Sequence, residues 1–284
     1  MILGVAIETD SLLLAAHSGR DTEPRFRTFT IKGKTVDEGA DHAGSIWEQA
    51  GDDARQFLIQ AEQIVFALPA RTCYLKRISI ENRLIREKPD YLKWVAGNHL
   101  PGKLDDYYFD FIPLRQSFDA ARTEMLLLAT TSKRYDEFSR KLIAGENRNM
   151  KFIPEQIGLV QVVEKSLNSE EFAQAGIVDC RPNGILAVFA RNSRFDHSRL
   201  FNNSSSKKTE IAADIETYFL SRADSSEALP LVITGFTGCF TTGWSPVVPA
   251  FMGIHNLEYA GAWGVADFVM QNLSLPGQGT AQVR

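Results

Sequence analysis

The chain has 284 residues, of which 44% are hydrophobic and 23% charged, with a net charge of −4. That is the composition of an ordinary globular protein, long enough to bury a sizeable core and to form two domains. It gives no reason to expect a nucleic acid or an anionic membrane surface as a partner, and no apolar run approaches the roughly 20 residues that cross a bilayer. The N-terminus lacks the basic flank and cleavage site of a signal peptide, so the expected location is cytoplasmic, without direct membrane insertion. Cys73, Cys180 and Cys239 are odd in number and far apart, which argues against a disulfide framework or a zinc site. Cys73 and Cys180 stand in apolar, strand-like contexts and are expected to be buried. The five histidines show no metal-ligand spacing, so no metal is expected.

Residues 2–16, ILGVAIETDSLLLAA, place two apolar runs on either side of the break Glu8-Thr9-Asp10. Two such runs around a polar break predict a hairpin of buried strands. A third strand is expected over 25–31, a loop over 32–43, and a helix over 45–60 with Gly51 as its weak point. Residues 64–68, IVFAL, are a fully apolar strand ended by Pro69. Together these give a mixed sheet with at least one covering helix. A separable segment follows: a strand over 72–80, a short helix over 91–99 led by Pro89, and the aromatic strand 106–114, DYYFDFIPL. Then come a core strand over 124–130 and a helix with Ser132 as N-cap and Gly145 as its stop. A short strand over 150–153 and a helix from about 156 to 167 complete this half.

Beyond the polar linker 168–175, GIVDC (176–180) and ILAVFA (185–190) predict a second hairpin across Arg181-Pro182-Asn183-Gly184, a weak echo of the first. A strand over 194–201, a loop over 202–208 and a helix over 210–222 follow, the last with Ile211, Ile215, Tyr218 and Phe219 on one face. A buried strand over 231–234 ends at Gly235. A helix over 261–272 precedes a flexible tail, 274–284.

The run FALPA at 66–70, the following helix ended by Leu-Pro, the strand YFDFIPL and the strand LLLAT with its Ser-Lys helix start resemble the type IV pilus assembly protein PilM. More distantly they resemble the cytoplasmic part of the type II secretion protein GspL. The resemblance implies an α/β, actin-like (ribonuclease H-like) fold. Its two lobes, residues 1–175 and 176–273, each carry a mixed sheet and face a nucleotide cleft. The segment of about 72–149 is then the small inserted subdomain that sets PilM and the cell-division protein FtsA apart from actin. The family's cleft motifs are degenerate in this chain. Ala6 stands for the Asp of the first phosphate motif, Glu8 for its Gly and Leu13 for its Lys. In the second motif Asp179 matches, but Arg181 replaces the Gly and Pro182 follows it. The adenosine motif keeps Gly235 and, three residues on, Gly238. Seven residues, 202–208, cross the gap where the family has a helical adenine lid, too few to hold one.

A carboxylate at Glu8 would repel phosphate, which needs bare backbone N–H groups and positive charge. Glu8, Thr9, Asp10, Asp179, Gly235 and Gly238 therefore read as remnants of a nucleotide cleft, with neither ATP nor catalysis expected. The resemblance implies a scaffold at the inner membrane, peripheral to it. Its partner would be the cytoplasmic tail of a PilN-like membrane protein, held in a groove with Trp94, Tyr107, Phe109 and Phe111 as candidates. An assembly ATPase is a second implied partner, and a homodimer is left open. Those aromatics could equally pack the core of the small subdomain, and Glu8 and Asp10 could be a solvated turn. The alternatives are a working ATPase or sugar kinase using Glu8, Asp10 or Asp179 for magnesium, or an unrelated mixed α/β protein.

Overall fold

The computed structural model describes residues 1–8, 10–19, 24–31, 46–115, 121–142, 149–166, 173–181, 184–202, 208–223, 229, 231–235 and 260–272. Thr9, Gly238, Cys239, the helix stop at Gly145, the loop 32–43, most of the loop 202–208 and the tail 274–284 lie outside them.

The first sheet holds β1 (Ile2–Ile7), β2 (Ser11–His17), β3 (Arg25–Thr30), β4 (Gln63–Leu68) and β8 (Asn149–Pro154), ordered β3-β2-β1-β4-β8. β1 and β2 form the expected hairpin, while β4 and β8 run parallel to β1. Parallel strands are apolar on both faces and need cover on both. On one face, α8 (Ala260–Asn272) packs Ala262, Val265 and Val269 against Ala6, Leu13, Ala15, Val65 and Ala67. The sequence placed this helix with the second lobe, since it follows that lobe in the chain, but it belongs to the first sheet. It lies backbone-close: a Cβ on Gly4 would stand 1.9 Å from the Ala262 carbonyl oxygen. A Cβ on Gly264 would stand 1.8 Å from the carbonyl oxygen of Gly158 in α6 (Glu155–Ser166), so the two helices can pack only with glycine there. The single helix expected over 45–60 is two, α1 (Ile46–Ala50) and α2 (Asp52–Gln60), broken at Gly51 with φ 92°. Trp47 of α1 is fully buried, meets Phe66 edge to face and donates its Nε1–H to the Leu142 carbonyl at 3.1 Å.

The second sheet repeats the plan. It is ordered β11-β10-β9-β12, from β9 (Gln174–Arg181), β10 (Gly184–Arg191), β11 (Arg194–Phe201) and β12 (Leu231–Gly235). Again a hairpin carries a third antiparallel strand on one side and a parallel strand on the other. α7 (Lys208–Leu220) lays Ile211, Ile215, Tyr218 and Phe219 on Val178, Cys180, Ile185, Ala187 and Phe189. β11 ends at Phe201 and α7 begins at Lys208, a span that leaves no room for a helical subdomain.

The chain divides into two compact units, and both of these sheets lie in the larger. The smaller covers Arg71–Lys141. Its antiparallel sheet, β5-β7-β6, comprises β5 (Tyr74–Glu81), β6 (Tyr107–Arg115) and the central β7 (Arg122–Thr131). Val95, Ala96 and Leu100 of the α4 (Tyr91–His99) region fill its core with Ile78, Ile80, Met125, Leu127 and Ala129. A short helix absent from the sequence reading, α3 (Asn82–Glu87), precedes α4, because six polar-rich residues give no periodic signal. α5 (Ser132–Leu142) starts on Ser132 itself, so the predicted cap moves back one residue. The Thr131 hydroxyl accepts from the Arg134 N–H at 3.4 Å, and Ser132 donates to the Asp106 carbonyl instead. Cys180 is buried as expected, whereas Cys73 is half-exposed. Among the described residues no helix is long and apolar enough to cross a membrane.

Candidate functional site

The polar breaks of the two equivalent hairpins meet. At the end of β1 the Glu8 N–H donates to the Ser11 carbonyl at 2.9 Å, which closes the first turn and leaves the Glu8 side chain at the strand's tip. In β9 the period of two puts Asp179 and Arg181 on one face, opposite the Val178 and Cys180 side chains that pack under α7. Arg181 reaches back to the first hairpin: its Nη1 lies 2.6 Å from Glu8 Oε1 and 2.9 Å from Glu155 Oε2. Its Nε lies 2.5 Å from Asp179 Oδ2. Glu155, the first residue of α6, accepts from the Ala70 N–H at 2.6 Å through its other oxygen. Asp179 accepts from the Thr234 hydroxyl of β12 at 2.7 Å.

These side chains are 16% exposed for Arg181, 9% for Glu8, 5% for Glu155 and 2% for Asp179, so solvent screens them little. Burial alone would push the guanidinium's proton affinity down. Asp179, Glu155 and Glu8 outweigh burial and hold it above its ordinary value, so Arg181 stays cationic at any working pH. Three carboxylates around one cation leave the cluster at a formal −2. Glycine packs close on both sides. Gly235, at φ 76°, ends β12 where a Cβ would stand 2.2 Å from the Cys180 carbonyl oxygen and 3.0 Å from Asp179 Oδ1. A Cβ on Gly261 would stand 3.2 Å from Arg181 Nη2.

An anion approaching this point meets a guanidinium already bound by three carboxylates. Phosphate would have to displace at least one charge-assisted hydrogen bond and face the acid it freed. Arg181, the cation this cluster presents, is thus already engaged by Glu8, Glu155 and Asp179. Among the described residues no group of His, Cys, Asp or Glu is placed to hold a metal ion.

Of the residues the sequence singled out, Glu8 and Asp179 are brought together through Arg181, and Gly235 lies against Asp179. Asp10 is exposed and accepts from the Ser11 hydroxyl at 3.0 Å. Arg181 was visible in the sequence only as a lost glycine. Glu155 and Thr234 were missed; an acid directly after Pro154 at a helix start was the one available signal. In the smaller unit Tyr107, Phe109 and Phe111 turn onto its hydrophobic core, and the Tyr107 hydroxyl donates to the Pro101 carbonyl at 2.7 Å. Trp94 is 62% exposed and stacks on Tyr91 with centroids 5.7 Å apart. Tyr108, 50% exposed, leans on Tyr135 at 4.9 Å. β6 is an edge strand of its sheet.

Among solved structures, the chain is similar to a chain of the PilM–PilN type IV pilus biogenesis complex, with a TM-score of 0.60 and 14% identity over 95% of this chain and 98% of that one. It is also similar to the cytoplasmic domain of EpsL, an inner-membrane component of the type II secretion system of Vibrio cholerae. That match has a TM-score of 0.50 and 10% identity over 82% and 81% of the two chains. A protein of unknown function with an actin-like ATPase fold from Bacteroides thetaiotaomicron matches with a TM-score of 0.47 and 11% identity over 83% and 82%. No protein-family profile matches the sequence, and no curated protein does. The likeness is one of fold, and the fold is the mixed α/β, actin-like one.

Proposed function

We propose that this chain is a non-catalytic scaffold of a type IV pilus or type II secretion platform, acting on the cytoplasmic side of the inner membrane. The observation that carries the reading is Arg181. An actin-like cleft works by opposing two phosphate-binding hairpins, and here a guanidinium ties those hairpins to each other through Glu8, Glu155 and Asp179. A kinase or ATPase of this fold would need a free carboxylate for magnesium and the attacking water. Two candidates, Glu8 and Asp179, are committed to Arg181, and Asp10 points to solvent.

Recognition is then the remaining role. The PilM–PilN and EpsL likenesses make the cytoplasmic tail of a PilN-like membrane protein the first partner to test, with an assembly ATPase and a second copy of the chain after it. The edge of β6 can accept an extended peptide by strand addition. Two experiments decide the matter. Titration calorimetry with Mg-ATP is expected to give no heat at millimolar nucleotide, and a micromolar Kd would overturn the inert cleft. A pull-down with the PilN-like tail encoded beside this gene is expected to retain the protein; no retention would leave the scaffold without its partner.

A further inference from the structure

The sheet of the smaller unit has two edges. β6 forms one, and β5 forms the other, paired on its inner side with β7. Along β5 the side chains alternate: Ile78 and Ile80 are buried in the unit's core, while Lys76, Arg77, Ser79 and Glu81 are exposed. Arg77, Ser79 and Glu81 share the face turned away from that core. On it Arg77 donates to Glu124 of β7 at 3.0 Å, and Glu81 lies 3.7 Å from Arg122 of β7. These four charges cancel, but along β5 they are separated, with the cation at Arg77, the anion at Glu81 and Ser79 midway between them. Sheet edges are ordinarily kept apart by charge, above all lysine, since one sign repels a second copy. Here the two ends of the edge carry opposite signs.

We propose that β5 is a self-pairing edge, to which a second copy of this chain adds antiparallel about a two-fold axis at Ser79. In that register each Arg77 stands opposite the other copy's Glu81, each Ile78 opposite Ile80, and Ser79 opposite Ser79. Charges then alternate across the joint sheet, with Arg77 between Glu124 and the facing Glu81, and Glu81 between Arg122 and the facing Arg77. Opposite charges across a strand pair stabilise it and like charges destabilise it. Other arrangements lose this match. Parallel pairing in register sets Arg77 on Arg77 and Glu81 on Glu81. A slip of one residue puts the second copy's apolar face on the wrong side of the joint sheet. Antiparallel slips of two residues set Glu81 against Leu75 or Ser79 and leave Arg77 facing no acid. A foreign strand would need no symmetry of charge about Ser79, and that symmetry is what favours a second copy, since a two-fold contact must be complementary to itself. β6, on the far side of the sheet, stays open to an extended peptide. A strand edge buries little surface, so the association is a weak one.

Sedimentation equilibrium of the whole chain tests this. A monomer–dimer equilibrium in the micromolar range is expected, shifting toward monomer at high salt. Glu81→Arg and Arg77→Glu each turn both cross-copy pairs into repulsions, and either should weaken dimerisation about tenfold or more. Mixed in equal amounts, the two variants set Arg against Glu at both positions again, and the dimer should return as a heterodimer. Ser79→Cys places two thiols at the axis, and mild oxidation should give a cross-linked dimer that the parent chain, with its own three cysteines, does not form. All three side chains are exposed, so each variant should unfold within a few degrees of the parent, which separates lost pairing from lost fold. Three results overturn the proposal: a chain that stays monomeric into the hundreds of micromolar, a dimer that the charge reversals leave unchanged, or reversed variants that remain monomeric when mixed. None of them depends on nucleotide in the cleft or on a PilN-like tail.

Discussion

The two compact units use charge in opposite ways. In the larger, four ionised groups, one just beyond the end of β1 and the others from β9 and α6, close on one another away from solvent. In the smaller, the cations stand outward on α3 and α4, and one carboxylate, Asp110, is half-buried with the Phe111 N–H donating to it at 2.8 Å. A buried cluster of opposite charges fixes a geometry, because removing either sign strands the other in a poorly solvated place. Exposed charges of both signs, Arg83, Arg86, Lys88 and Lys93 among Glu81, Glu87 and Asp90, are screened by water and fix little.

The contrast can be broken most sharply at Arg181. Arg181→Met should lower the unfolding free energy in urea by about 3–5 kcal/mol, since three carboxylates lose their counter-charge. Adding Glu8→Gln, Glu155→Gln and Asp179→Asn should restore most of that loss, which would assign it to stranded charge rather than to a cavity. If Arg181→Met alone is neutral, the cluster is not what joins the two sheets.

A neutral contact in the same unit calibrates the scale. Tyr218, buried under β11, has its hydroxyl 3.0 Å from His197 Nδ1, and burial pushes the phenol's pKa up. Tyr218→Phe should cost about 1 kcal/mol, well short of the ionic change. Burial, then Arg222, hold His197 below its ordinary pKa against the pull of Asp196. The unfolded chain therefore takes up this proton more readily, and stability should fall as pH drops below the ordinary histidine range. That slope should flatten in His197→Gln.

The smallest effect, of opposite sign, is expected in the smaller unit. Burial raises the pKa of Asp110 against the pull of the Phe111 N–H. The folded chain thus binds this proton more readily than the unfolded one, so the ionised form weighs against folding above the ordinary carboxylate range. Asp110→Asn keeps the acceptor and should raise Tm slightly at pH 7, with the gain vanishing below about pH 4. A lowered Tm at pH 7 would mean that this carboxylate is compensated after all.

Much of the architecture was legible because the signals were local. Strands such as ILGVAI and GILAVFA are apolar throughout and bounded by turns, so both hairpins, and the kinship between them, could be read directly. α3 could not, being short and polar. α8 was assigned to the wrong sheet because chain order says nothing about which face a helix covers. The aromatics of β6 shared a face by period, but no local feature says whether that face is in or out. The site was the least legible part. Glu8 and Arg181 are 173 positions apart, and a salt bridge over such a distance leaves no pattern in either segment. Arg181 therefore read as a missing glycine, although its side chain is what occupies the place.

The position of α8 has a consequence for the newborn chain. β1 and β2 leave the ribosome long before the helix that shields Ala6, Leu13, Ala15, Val65 and Ala67, which is made of residues 260–272. At roughly 5–20 residues per second, that face waits on the order of tens of seconds for its cover. Throughout that interval the nascent sheet shows a bare apolar face, and a premature stop before Ala260 would leave it bare for good.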